Sequence, residues 1–201
     1  MKDEILKKAA EMFINYGFKS VTMDDIATAM GISKKTIYSH YKNKTALVEG
    51  SVDLTFDNIC FRIKSIIEQN INPIDELFTI RGIMLEYIKE GESSPQYQLQ
   101  KYYPEIFQNM HHKQFDFMLG CVSRNLTDGI EQGLYRSEID IDFITRIYFT
   151  GVVGIKDENV FPILQFKPKD ILEKYLDYHL RAIVTEKGYN KLQKIQNSNE
   201  N

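Results

Sequence analysis

Residues 22–47 read TMDDIATAMGISKKTIYSHYKNKTAL and concentrate the side chains with an evident chemical use. Lys34, Lys35, Thr36, Tyr38, Ser39 and His40 stand close together. They combine cations, hydroxyls and an imidazole, groups that suit phosphate oxygens and the polar edges of bases. Lys44 follows at the start of a predicted helix, where an ammonium beside free backbone N–H groups makes an anion anchor. No arginine precedes Arg62. Bidentate arginine-to-guanine readout is therefore absent from this stretch, and lysine, Thr36, Tyr38 and His40, or duplex shape, must do that work. Plain solvation is the alternative for Lys34 and Lys35, and Tyr41 reads as core rather than contact.

The elements that must position these groups are helices. Apolar residues recur at three and four along nearly the whole chain, and the fold class expected is all-α. Asp3 to Tyr16 forms a first helix, with Ile5, Leu6, Ala9, Met12, Phe13 and Tyr16 on one face and Gly17 as its stop. Thr22 caps a second helix and Asp25, three residues on, is a short variant of the capping box. That helix ends at Gly31. Ser33 caps a third, Lys34 to Tyr41, with Ile26, Ala27, Met30, Ile32 and Ile37 turned inward. Two short helices meeting at Met30-Gly31-Ile32-Ser33 make a helix-turn-helix, whose second helix fits the major groove of B-DNA.

In this stretch the sequence resembles the TetR family of one-component bacterial regulators. The matching positions are Ala10, Phe13, Gly17, Thr22, Ile26, Ala27, Gly31, Ser33, Thr36, Tyr38, Tyr41, Lys44 and Leu47, and the likeness covers about residues 3–50. Lys35 stands where many members carry a small residue, and Tyr41 where phenylalanine is common. The resemblance implies a homodimer that binds palindromic double-stranded operator DNA as a repressor and is released by a small-molecule effector. It implies DNA contacts from Thr22, Ser33, Lys34, Lys35, Thr36, Tyr38, His40 and Lys44. It also implies a DNA-binding domain at 1–47, a ligand-binding and dimerisation domain at 48–187 and a polar tail at 188–201. The architecture expected is a three-helix head joined by a long helix to a C-terminal helical bundle, about nine helices in all.

The body supports this modestly. A fourth helix runs to about Asn70. A fifth, from Pro73, carries Ile74, Leu77, Phe78, Met84, Leu85 and Ile88 to Gly91, and Ser93-Ser94-Pro95 opens a sixth. A long helix from Glu105 to Gln132 is apolar on several sides, as a central helix is. Two more follow, about Asp140–Val153 and Pro168–Glu186, then a frayed tail from Lys187. Phe143, Ile144, Ile147, Tyr148 and Gly151, with Ile171, Leu172, Tyr175, Leu176, His179 and Ile183, form stripes suited to a four-helix subunit interface, in which Gly151 and Gly154 allow close approach. The alternative is that the stripes face only their own subunit. Aromatic residues crowd the middle of the chain, and drug-sized pockets are apolar and aromatic with a few polar groups. The candidate effector residues are Arg81, Tyr87, Tyr102, Tyr103, Phe107, His111, Gln114, Phe117, Arg124 and Tyr148, each with plain core packing as its alternative. A basic member favours an acidic ligand.

Several classes are disfavoured. Adjacent helical residues point about 100° apart, so His111 and His112 do not easily share one ion; no metal and no cofactor is expected. No apolar run approaches a membrane span of about 18 residues, and the charged start has no signal-peptide core. A cytoplasmic protein with no membrane partner is expected. Cys60 and Cys121 read as buried free thiols. Net charge is −3, yet residues 1–50 carry eight lysines against six acids and the remainder 17 basic against 22 acidic residues. A slightly basic head on an acidic body suits DNA. Neither a Ser-His-Asp order nor a phosphate loop is present, so an enzyme is not expected. A helical small-molecule-binding protein or enzyme without DNA-binding activity is the alternative, and an activator the variant the sequence leaves open.

Overall fold

The computed structural model describes residues 1–87, 95–157, 159–162 and 164–199. All its regular elements are helices: α1 (Lys2–Tyr16), α2 (Met23–Met30), α3 (Lys34–Tyr38), α4 (Lys44–Ile67), α5 (Pro73–Tyr87), α6 (Pro95–Tyr102), α7 (Pro104–Glu131), α8 (Ile141–Gly154), α9 (Pro168–Ile183) and α10 (Glu186–Asn199). Tyr135 and Val184 add one isolated antiparallel bridge. The expected end of the fifth helix at Ile88 and Gly91, and the Ser93-Ser94 restart, lie outside the described residues. Among the described residues no helix is long and apolar enough to cross a membrane.

The chain packs as two compact units. The first takes residues 1–61 and 95–114. Its core is built where the sequence pattern puts it. Ile5, Ala9 and Phe13 of α1 meet Phe18, Ile26, Ile37, Leu47 and Val48, all buried, and Leu99 of α6 and Ile106 of α7 join them. Phe13 and Phe18 stack with centroids 5.4 Å apart. Gly17 is needed at its turn for two reasons. Its φ of +89° is a backbone state that side chains rarely adopt. The space a Cβ needs is also filled by the Gln98 amide. Gln98 is buried, and its Oε1 accepts the Lys19 N–H at 2.9 Å. The α1–α2 turn is therefore clamped by α6.

The second unit holds residues 62–87 and, from 115 onward, the rest of the described chain. Ile74, Leu126, Leu134, Tyr135, Leu176, Leu180, Ile183 and Leu192 form its core. Leu192 lies on α10, so the frayed tail expected from Lys187 is corrected: residues 186–199 are helical, and α10 buries Leu192 completely. Its backbone start is tied down, because Thr185 donates its N–H to the Leu134 carbonyl at 2.9 Å and Lys187 reaches the Gln132 carbonyl at 2.8 Å. This helix brings the count to ten among the described residues.

A carboxylate also sits in this core. Glu76 is 2% exposed and accepts from Arg124 and from the Asn125 side-chain amide, while the Tyr135 hydroxyl donates to Asn125 Oδ1 at 3.1 Å. Burial of an ionised carboxylate is tolerable only with such partners. His179 presents the opposite case. Its ring lies 4.4 Å from that of Tyr148, and burial pushes its pKa from 6.5 down to about 4. Between those values the unfolded chain binds the proton and the folded one refuses it, so stability is complete above pH 6.5 and falls as pH drops toward 4. The loss expected from this one group is about 3 kcal/mol. Urea titrations at pH 7 and pH 4.5 should show His179→Phe losing less stability on acidification than the parent. An equal loss in both proteins contradicts the assignment.

Candidate nucleic-acid interface

The presenting surface is built from two caps and a glycine. Thr22 Oγ1 accepts the Asp25 N–H at 3.2 Å and Asp25 Oδ2 accepts the Thr22 N–H at 2.8 Å, a complete capping box. The Thr22 backbone N–H is the first cause that holds the Asp25 carboxyl below the usual carboxylate range. Gly31 closes α2 in the left-handed region at φ 65°, which the Ile32 N–H uses to reach the Ala27 carbonyl at 3.0 Å. Ser33 then caps α3, its Oγ accepting the Thr36 N–H at 3.0 Å. The third helix is shorter than expected and ends at Tyr38 rather than Tyr41. Ser39 and His40 continue it as a turn, with the Tyr41 N–H still on the Ile37 carbonyl at 2.9 Å.

Ile37 is fully buried and Tyr41 nearly so, the latter donating its hydroxyl to the Lys2 carbonyl. Tyr41 is thus core. With Ile37 inside, Lys35 and Ser39 point away from the head and Thr36 and Tyr38 lie on the flanks, since residues step by about 100°. Lys35, Tyr38, Ser39 and His40 are exposed and Thr36 is half-buried. Tyr38 shows 45% of its surface, a large aromatic left in water. Lys34 is exposed but pairs with Asp24 at 2.7 Å, and that carboxylate raises its pKa.

Thr22 and Ser33 are exposed with their hydroxyls engaged in caps. Lys44 departs from expectation. Its ammonium folds inward, donating to the Lys19 carbonyl at 3.3 Å and lying 5.8 Å from the Phe13 ring, and burial lowers its pKa. Asn43 is what caps the start of α4, its Oδ1 accepting the Ala46 N–H at 2.8 Å.

The ten residues expected around an effector are divided between the two units. Tyr102, Tyr103, Phe107, His111 and Gln114 belong to the first unit, and Arg81, Tyr87, Phe117, Arg124 and Tyr148 to the second. Tyr103 and Phe107 pack on the head core. Tyr148 packs on the second core, where burial pushes its phenol up to about 12. Arg81 pairs with Glu173 at 2.9 Å, and Arg124 is held by Glu76 and Asp128. Both guanidiniums are therefore already engaged by carboxylates, while the Nε of each is buried without a hydrogen-bond partner among the described residues. An open groove in the second unit is lined by Asn72, Leu134, Glu186, Lys187, Asn190, Lys191 and Lys194, none of them in the expected set. Cys60 is buried and Cys121 only half-buried, and neither forms a disulfide among the described residues.

Sequence reasoning missed Gln98, Lys19 and Tyr102 as neighbours of the helix-turn-helix. Lys19 Nζ lies 5.1 Å from the Tyr102 ring. No local motif joins residues so far apart in the chain, and only the apolar Leu99 beside Gln98 hinted that α6 faces a core.

The stripes on α8 and α9 divide. Ile171, Leu176, His179 and Ile183 are buried within their own unit, and Ile144, Tyr148 and Tyr175 are half-buried. The Tyr175 hydroxyl donates to the carbonyls of Ile147 and Tyr148 and fills the space over Gly151. Gly151 therefore serves close approach of α9 to α8 in one chain. Phe143, Ile147 and Tyr178 remain exposed, at 57%, 48% and 71%.

The family model for bacterial regulatory proteins of the tetR family matches residues 5–50. The HTH-type transcriptional repressor KstR2 of Mycolicibacterium smegmatis is 26% identical over 203 residues, which span 93% of this chain and 92% of that protein. The biofilm operon icaADBC HTH-type negative transcriptional regulator IcaR of Staphylococcus aureus is 39% identical over 57 residues, 28% of this chain and 31% of that protein. The solved ketosteroid transcriptional regulator KstR2 of Mycobacterium tuberculosis shares the fold at TM-score 0.59 and 23% identity, covering 92% of this chain and 95% of that one. A TetR family regulator from Agrobacterium tumefaciens does so at TM-score 0.70 and 20% identity, covering 92% and 97%. The capped helix-turn-helix thus lies within the stretch that matches the tetR family of bacterial regulatory proteins, and the described helices share the fold of solved regulators of that family.

Proposed function

We propose that the chain is a ligand-responsive repressor that binds a palindromic operator as a homodimer in the cytoplasm, and that it is not an enzyme. Residues 1–47 take the DNA, and residues 48–187 hold the effector and the subunit contact. The observation that carries this reading is the exposed surface of α3 and the turn after it, where Lys35, Tyr38 and His40 are exposed while Ile37 is fully buried. Ser33, Lys34, Thr36 and Thr22 flank it as phosphate or base contacts. Lys44 joins them once its ammonium swings from the Lys19 carbonyl to a phosphate, an exchange that burial already favours by making its charge less comfortable.

A dimer must set two such helices in successive major grooves, about 34–36 Å apart. Phe143, Ile147 and Tyr178 on α8 and α9 supply an exposed apolar face for it. An effector that prefers the conformation with wrongly spaced heads lowers operator affinity by its differential affinity for the two states.

Duplexes recovered from genomic fragments retained by the protein provide the test. Tyr38→Ala and Lys35→Ala should each weaken binding about tenfold, within the range expected for removing one side chain from the DNA interface. Unchanged affinity in both variants overturns the head assignment. Separately, Ile147→Asp should sediment as a monomer with an unaltered helical circular dichroism spectrum. A dimer that survives this change moves the subunit contact elsewhere.

A further inference from the structure

The geometry points to a second DNA-contacting patch on the first unit, formed by Lys19 with Tyr97, Lys101 and Tyr102 of α6, that takes the sugar–phosphate backbone flanking the operator. This rests on the DNA-binding reading and extends it beyond the helix-turn-helix.

Lys101 Nζ lies 3.3 Å from the Tyr97 hydroxyl, 5.4 Å from the Tyr97 ring and 5.7 Å from the Tyr102 ring. Lys19 Nζ lies 5.1 Å from that same Tyr102 ring. All four residues are exposed, Tyr97 and Tyr102 by 46% and 38%. Lys8, Lys34 and Lys113 in this unit are matched by Glu11, Asp24 and Asp53. Lys19 and Lys101 have no salt bridge among the described residues; aromatic rings and a phenol are their company. The whole of α6, PQYQLQKY, contains no carboxylate. A ring attracts an ammonium without cancelling its charge. Two like charges drawn to one ring leave the spot electropositive, and the tyrosine hydroxyls add donors that phosphate oxygens accept.

The place of the patch names its occupant. Lys44 Nζ donates to the Lys19 carbonyl, and its charge acts on Asp25, whose carboxylate caps Thr22. The patch thus continues the surface at the starts of α2 and α4, helix N-termini whose dipoles favour an anion. It is also fixed to the head. Gln98 clamps Lys19 at 2.9 Å, and Leu99 is 2% exposed in the head core.

The test uses the full chain, the recovered duplex with mixed-sequence flanks, and a titration between about 50 and 200 mM salt. Each phosphate that a variant no longer neutralises should flatten the log–log salt slope by about 0.9, which is roughly tenfold in affinity at 0.1 M salt. Lys101→Gln and Lys19→Gln should both do this, and the difference should vanish when the duplex is trimmed to the bare operator. Lys194→Gln, on α10 of the other unit, should leave slope and affinity alone. If Tyr38→Ala weakens binding while Lys101→Gln and Lys19→Gln keep both slope and affinity, the patch proposal falls and the repressor reading stands. Those are also the outcomes if the patch serves an acidic protein. If the unaltered protein retains no duplex at low salt, both fall.

Discussion

A helix of five residues cannot hold itself together in water, because nucleation costs more than so few hydrogen bonds return. The structure depends on how this constraint is met at α3. Ile37 drives the helix into the head core, Ser33 fixes its first turn and Gly31 sets its direction. Only one register satisfies all three. That register turns Lys35 outward and leaves Tyr38 at the rim. The functional face follows from where one isoleucine must go.

The head core is completed by chain that lies far away in sequence. Leu99 and Ile106 enter it, and Gln98 occupies the room that Gly17 leaves. A buried amide is stable only when its polar atoms are used, and the Lys19 N–H uses one of them. The same logic organises the second unit. Glu76 is buried with a charge, so Arg124 and Asn125 are committed to it. Arg124 therefore serves the fold through this carboxylate, whatever else its remaining Nε–H meets. Arg81, paired with Glu173 and set 4.8 Å over the Phe78 ring, is engaged in a comparable way.

The legible features were those coded within a few residues. Thr22 with Asp25, Ser33 before Lys34, Gly31 at a left-handed turn and Pro73 at a helix start each state a local geometry, and each holds. So does the inward set Ile26, Ala27 and Ile37. The illegible features depend on partners distant in the chain. α10 reads as a polar tail because EKGYNKLQKIQNSN offers few apolar residues. It becomes a helix because Leu192 finds a core made by other elements. Lys44 looked like an outward cation from its neighbours in sequence. Its inward fold depends on the Lys19 carbonyl, 25 residues earlier.

The stripes on α8 and α9 show why periodicity identifies an apolar helix face but not what covers it. Phe143, Ile144, Ile147 and Tyr148 fall on one broad stripe, since steps of three and four return to the same side. The stripe is wider than one neighbour can cover. Ile144 and Tyr148 turn toward the second core, while Phe143 and Ile147 stay on the water side. Tyr175 spans the join, its hydroxyl on two α8 carbonyls and its ring stacked 5.7 Å from Tyr148. Exposed apolar area carries a penalty of about 25 cal/mol per Å². A phenylalanine and an isoleucine one turn apart, with Tyr178 also in water on the adjoining helix, are therefore a standing drive toward association.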